Sequence, residues 1–161
     1  MTRSDLERFY KYVAWANDRA CDAISQLSVQ SPQSQQALRL LGHILNAAEL
    51  WRRVRILSEE VPGLTVWPEY ALEVCRSKNK QEAENFARYL SSIKDEDLQR
   101  LVTYNSLAGD EFKSSVLDIM TQVINHATHH RGQIMQLVRQ GGGAPASTDF
   151  IAFSRLATKN A

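Results

Sequence analysis

The scarcity and clustering of helix breakers constrain this chain more than any other feature. Only seven glycines and four prolines occur among 161 residues, most of them in a few clusters. Long stretches are therefore free to wind as helices. Ser4 to Leu27 reads as the first. Ser4 and Glu7 stand at capping-box spacing, and Leu6, Phe9, Val13, Ala16, Ala20, Ile24 and Leu27 recur every three or four residues along one face. Ser31-Pro32 predicts the cap and first position of a second helix running to about Leu57, with Leu38, Leu41, Ile44, Leu45, Ala48, Trp51 and Val54 on its apolar side. Pro62-Gly63 and Trp67-Pro68 mark residues 61–77 as a connection with one short helical piece. Asn79 and Glu82 again have cap spacing, so a third helix is expected from about Lys80 to Ile93, with Ala83, Phe86, Ala87 and Leu90 inward. Leu101 to Lys113 is extended in character around an Ala108-Gly109-Asp110 turn signal, and a hairpin-like link fits it. The fourth long helix begins near Ser114 or Ser115 and stops at about Gln140, because Gly141-Gly142-Gly143 accepts the left-handed C-cap conformation. Asp149 to Leu156 is a short terminal helix or a tail.

Four amphipathic helices in a chain this long predict an all-α fold, an antiparallel four-helix bundle with long crossover connections, as a single domain over residues 1–161. Lys and Arg number 19 against 18 Asp and Glu, a formal charge of +1. Such a balance supplies no field for wrapping nucleic acid or coating an anionic membrane. No apolar run approaches the roughly 18 residues of a membrane span, and the N-terminus shows no secretory signal. Cys21 and Cys75 stand far apart, in no metal or redox spacing, and read as free thiols in a reducing compartment. A cytoplasmic protein with neither nucleic-acid nor membrane partners is the expectation.

The chemistry concentrates in histidine. Of four in the chain, three fall within His126-Ala127-Thr128-His129-His130. Residues four apart on a helix are neighbours, offset by about 40° around the axis, so His126 and His130 share a face and can hold one metal ion together. No glutamate follows His126, so the general base of the zinc-protease motif H-E-x-x-H is absent. Val116, Ile119, Met120, Val123, Ala127, Ile134, Leu137 and Val138 form the apolar stripe of this helix, and His126 and His130 fall within it. His129 is turned by about 100° from His130. Imidazoles on an apolar face need partners: a shared metal is one solution, and ordinary buried hydrogen bonds are the other. His43, near the inward side of the second helix, is the only histidine left to serve as a third ligand.

Several segments together resemble a known family. Tyr12-Val-Ala-Trp15-Ala-Asn17, Leu41-Gly-His43-Ile-Leu-Asn46-Ala-Ala-Glu49-Leu-Trp51, Val123 through Ile134, and Pro145 through Ile151 are similar to the signature segments of the DinB superfamily, which is unrelated to the DNA polymerase sharing its name. The resemblance covers nearly the whole chain. It implies crossed connectivity of the four helices and a divalent-metal site of three histidines with open positions. By position these are His43, His126 and His130. His129 stands where the family usually carries an aromatic residue and is not expected to ligate. The resemblance also implies a homodimer. Relatives include thiol-dependent S-transferases and a thiol-dependent isomerase.

A three-histidine site with open positions suits catalysis better than a closed structural role. Zinc, nickel or iron would suit imidazole ligands, and any of them can lower the pKa of a bound thiol or water. The expected function is thiol-dependent S-transfer, in which a small thiol attacks an electrophile. A non-catalytic metal-binding stress protein and a metal-dependent hydrolase are the other readings, the last needing Glu49 or Asp149 near the site. Asn125 and Gln133 are candidates for orienting the ligands. Arg131 reads as a surface ion pair, Arg52-Arg53-Val54-Arg55 as a solvated face with one salt bridge, and Trp15, Trp51 and Trp67 as core or interface aromatics, Trp51 also as a pocket wall.

Overall fold

The computed structural model describes residues 1–106 and 108–159, with side chains through Leu156. Four helices form the bundle: α1 (Arg3–Ile24), α2 (Pro32–Glu49), α3 (Leu72–Ser92) and α4 (Val116–Gln140); α5 (Phe150–Lys159) follows. Each turns its apolar stripe inward. Leu6, Ala16 and Ala20 of α1, Leu41 and Leu45 of α2, Leu90 of α3 and Ile134 and Val138 of α4 are all within 2% of full burial. Burying one such leucine contributes about 2 kcal/mol. Both α1 and α2 pack against α3 and α4, whereas α1 and α2 themselves face each other diagonally, so the connectivity is crossed. That arrangement sets α2 beside α4 and brings their histidines together.

Local signals account for most boundaries. Ser31 caps α2 by accepting a hydrogen bond from the Ser34 amide, and Pro32 opens the helix. Ser115 caps α4 through the Asp118 amide. Gly142, at φ 83°, takes the left-handed conformation just past the end of α4. The link before α4 is a hairpin, with β1 (Leu101–Asn105) antiparallel to β2 (Glu111–Ser115) and Leu101 opposite Ser115.

Four expectations are corrected. The capping box of α1 is Thr2 with Asp5, not Ser4 with Glu7: Asp5 accepts from the Thr2 amide at 2.8 Å, and Thr2 Oγ1 accepts from the Asp5 amide at 3.2 Å. Both pairs have the right spacing, and Asp5 also sits at the positive end of the helix dipole. The second helix does run past Glu49, but Leu50–Ile56 winds as π-helix. In this segment Arg52 is not solvated. It is 7% exposed and donates to both carboxylate oxygens of Glu82, at 3.1 and 2.9 Å. The third helix starts at Leu72, eight residues before Lys80. Asn79 and Glu82, expected as its cap, are buried within it. Asn79 donates to the Ala14 carbonyl and to Asp18, and accepts from Asn17. Ala87, expected inward, is exposed.

The candidate metal centre

His43 comes from α2 and His126 and His130 from α4, all half-buried. Their ligand atoms lie within 4.8 Å of one another. His126 Nε2 is 3.1 Å from His43 Nε2 and 3.1 Å from His130 Nε2. Nitrogens bound to one ion at the usual metal–imidazole distance stand about 3.0 Å apart at right angles and about 3.4 Å apart in a tetrahedron. The two spacings that involve His126 fall between these values, and all three ligand atoms lie within 4.8 Å of one another, so the three rings could hold one ion.

Hydrogen bonds behind the cluster fix which nitrogens face inward. The Val66 carbonyl can only accept, so His43 Nδ1 carries hydrogen and donates to it at 2.7 Å. His130 Nδ1 likewise donates to Gln133 Oε1 at 2.7 Å. Both rings therefore present an Nε2 lone pair to His126, whose own Nε2 can carry at most one hydrogen. Three acceptor-capable nitrogens at this spacing need a proton or a cation between them. Burial, and then the neighbouring His130 and His43, push the pKa of His126 down to about 4; burial also lowers that of His43, against an opposing hydrogen bond to Val66. Both rings are neutral near pH 7, the form that ligates.

The loop after the π-helical segment is pinned to α2 around His43. Gly42 permits this: a Cβ there would lie 3.0 Å from Pro68 Cγ. Asn46 donates to the Thr65 carbonyl at 2.8 Å, and the Tyr70 hydroxyl donates to Asn46 Oδ1 at 3.1 Å. This holds the Val66 carbonyl on His43 and lays Trp67 flat against the His43 ring, centroids 3.8 Å apart and planes 9° apart. Trp67 is thus the aromatic wall of the site. Trp51, expected there, instead meets Tyr104 edge-on at 5.2 Å. The Val66 carbonyl was not legible in the sequence, since a backbone acceptor carries no residue signature; Gly42 beside His43 was its indirect sign.

His129 points outward and is exposed, receiving a hydrogen bond from Gln133 Nε2 at 3.3 Å. Gln133 so bridges His129 to His130. Arg131 is the largest correction. Read as a surface ion pair, it is 0% exposed, and it donates to Asn17 Oδ1, the Tyr12 hydroxyl and Thr128 Oγ1 at 3.1, 3.1 and 2.9 Å. Its guanidinium also lies over the Tyr12 ring. Glu49 is held by Arg53 at 3.0 Å and Lys78 at 2.9 Å. Among the described residues, neither Glu49 nor Asp149 joins the histidine cluster. Cys21 and Cys75 are buried, and burial pushes their thiols up to about 12 and about 11.

Known proteins place this architecture. Protein DinB of Bacillus subtilis (strain 168) is 24% identical over 155 residues, covering 89% of this chain and 90% of that protein. A DinB-like protein of Bacillus cereus ATCC 10987, known as a crystal structure, superposes with a TM-score of 0.58 at 17% identity, over 86% of this chain and 94% of that one, a likeness of fold. A family model described as the DinB family matches residues 1–161, and the chain belongs to that family.

Proposed function

We propose that His43, His126 and His130 hold one divalent ion, zinc, nickel or iron, and that the protein is a thiol-dependent S-transferase. The observation that carries this reading is the convergence of the three Nε2 atoms, with the Nδ1 hydrogens of His43 and His130 committed to Val66 and Gln133. An ion held there would lower the pKa of a thiol toward neutrality. The rest of the work falls to the chain. Val66 and Gln133 keep hydrogen on the outward nitrogens, so the inward ones stay free of it near pH 7. Trp67 covers one face of His43 and limits water on that side. No carboxylate of the described residues joins the cluster. The chain's own cysteines are buried with raised pKa values, so the reacting thiol comes from outside. A cytoplasmic homodimer belongs to the same proposal, and sedimentation equilibrium tests the dimer.

The decisive test is elemental analysis of protein purified without a histidine tag, beside the His126→Ala variant. One ion per chain is expected in the parent and none in the variant, with the helical circular dichroism spectrum unchanged. Full occupancy in the variant contradicts the assignment. Turnover of an electrophile that requires both added thiol and bound metal then separates S-transfer from storage.

A further inference from the structure

Tyr10, Ala14, Asn17 and Cys21 follow one another at three- and four-residue steps along α1, and Phe86, Ala83, Asn79 and Cys75 do so in the opposite direction along α3. Such steps keep each set on one helix face. The two faces meet in register. The Tyr10 and Phe86 rings stack with centroids 4.1 Å apart, Ala14 and Ala83 line one groove, and Asn17 Nδ2 donates to Asn79 Oδ1 at 3.0 Å. One turn further on each helix, the same register sets Cys21 against Cys75. It holds at that level, because the next residues, Asp22 and Arg76, are joined at 2.9 Å. Both cysteines are fully buried, and both are free thiols. Burial raises the pKa of Cys21, and Cys75 adds to it against the pull of Arg76, as a near neighbour does. Separation in sequence hides the pair.

We propose that Cys21 and Cys75 are a redox pair, which hydrogen peroxide converts to a disulfide that staples the end of α1 to the start of α3. Access comes from their positions. Cys21 lies in the last turn of α1 and Cys75 in the first turn of α3, whose N-terminus has no side-chain cap. Terminal turns open locally at small cost, and the oxidant is small. The first thiol gives its proton to solvent, and its sulfur attacks a peroxide oxygen. The O–O bond breaks, and the departing hydroxide takes up a proton and leaves as water. That sulfur is then a sulfenic acid. The second sulfur, also deprotonated, attacks it; the S–O bond breaks and a second water leaves. Two electrons pass from the sulfurs to the peroxide, so two thiols and one peroxide give one disulfide and two waters. The new bond closes residues 21–75 into one loop, which holds all of α2 with His43 and the connection with Val66 and Trp67. No step needs a metal at the histidines.

The test treats the folded full chain with excess hydrogen peroxide in native buffer and maps the products by mass spectrometry of a non-reduced tryptic digest. The expected product links peptide 20–39 to peptide 56–76, with the loss of two hydrogens, and the link reverts with dithiothreitol. The oxidised chain should melt about 5–10 °C above the same sample after dithiothreitol, because the closed loop restricts the unfolded state. Cys75→Ala should show neither the link nor the rise in melting temperature. Should that variant fail to fold, the digest and the two melting curves of the parent decide the matter by themselves. Two thiols still free after prolonged treatment, a sulfinic acid at either cysteine of the parent, or a disulfide that forms only in urea overturns the redox pair. A linked chain that melts no higher than its reduced form overturns the staple.

Discussion

His130 and Arg131 are consecutive residues of α4, and they meet opposite fates. His130 turns toward α2, half-buried, and presents an Nε2 lone pair to a second histidine at 3.1 Å. Arg131 turns toward α1, fully buried, and gives its terminal NH groups to Asn17, Tyr12 and Thr128. The Tyr12 hydroxyl in turn donates to the Thr148 carbonyl, which ties the segment before α5 to the same network. The first side chain has its inner valence left for something from outside. The second has its partners within the chain. In a helical bundle a buried polar group is a site or a clamp according to where its partner lies, and burial alone does not tell them apart.

The contrast can be broken by stability first. Arg131→Ala leaves a cavity and strands Asn17 and Tyr12, and Glu82→Ala leaves Arg52 buried without its carboxylate. Each should lower unfolding free energy by about 3–5 kcal/mol in urea titrations. Neither should change metal affinity. A metal defect in Arg131→Ala that persists where the protein is fully folded would show that Arg131 serves the site as well as the fold.

A smaller effect sharpens the site side. Gln133→Leu removes the acceptor that holds hydrogen on His130 Nδ1, and metal affinity should drop by about 10- to 100-fold with little loss of stability. An unchanged affinity would show that the His130 tautomer needs no help from Gln133.

The smallest effect is a pH slope. In metal-free protein the native pKa of His126 is about 4 against an ordinary 6.5, so between these values the unfolded chain binds a proton that the native chain refuses. Native stability therefore falls as pH drops from 6.5 toward 4. His126→Ala should flatten that part of the urea-midpoint profile, and an unaltered slope would assign it to other groups.

The same contrast explains what the sequence could carry. Periodicity located α1, α2 and α4, because their core stripes are local and regular, and spacing placed His126 and His130 on one face. The start of α3 was misplaced because Asn79 has the local preference of a cap. In the fold its amide is satisfied by Asn17, Asp18 and Ala14 on another helix, and tertiary bonds outweigh that preference. Arg52 and Arg131 read as solvated because charge is ordinarily outside, and their partners are distant in sequence: 30 positions separate Arg52 from Glu82, and 114 separate Arg131 from Asn17. Trp67 was invisible as a wall because only the folded loop lays it on His43. Residue type and spacing marked the three histidines and Gln133; the Val66 carbonyl and Trp67, which back His43, emerge only from packing.

On the proposed reading, the three inward Nε2 atoms share one ion. Calorimetric titration of untagged, metal-stripped protein with zinc tests it most directly, run in parallel on His126→Ala and Arg131→Met. One ion per chain is expected for the parent and for Arg131→Met, and no binding for a folded His126→Ala. Stoichiometric binding that survives His126→Ala, or its absence in the parent, would contradict it.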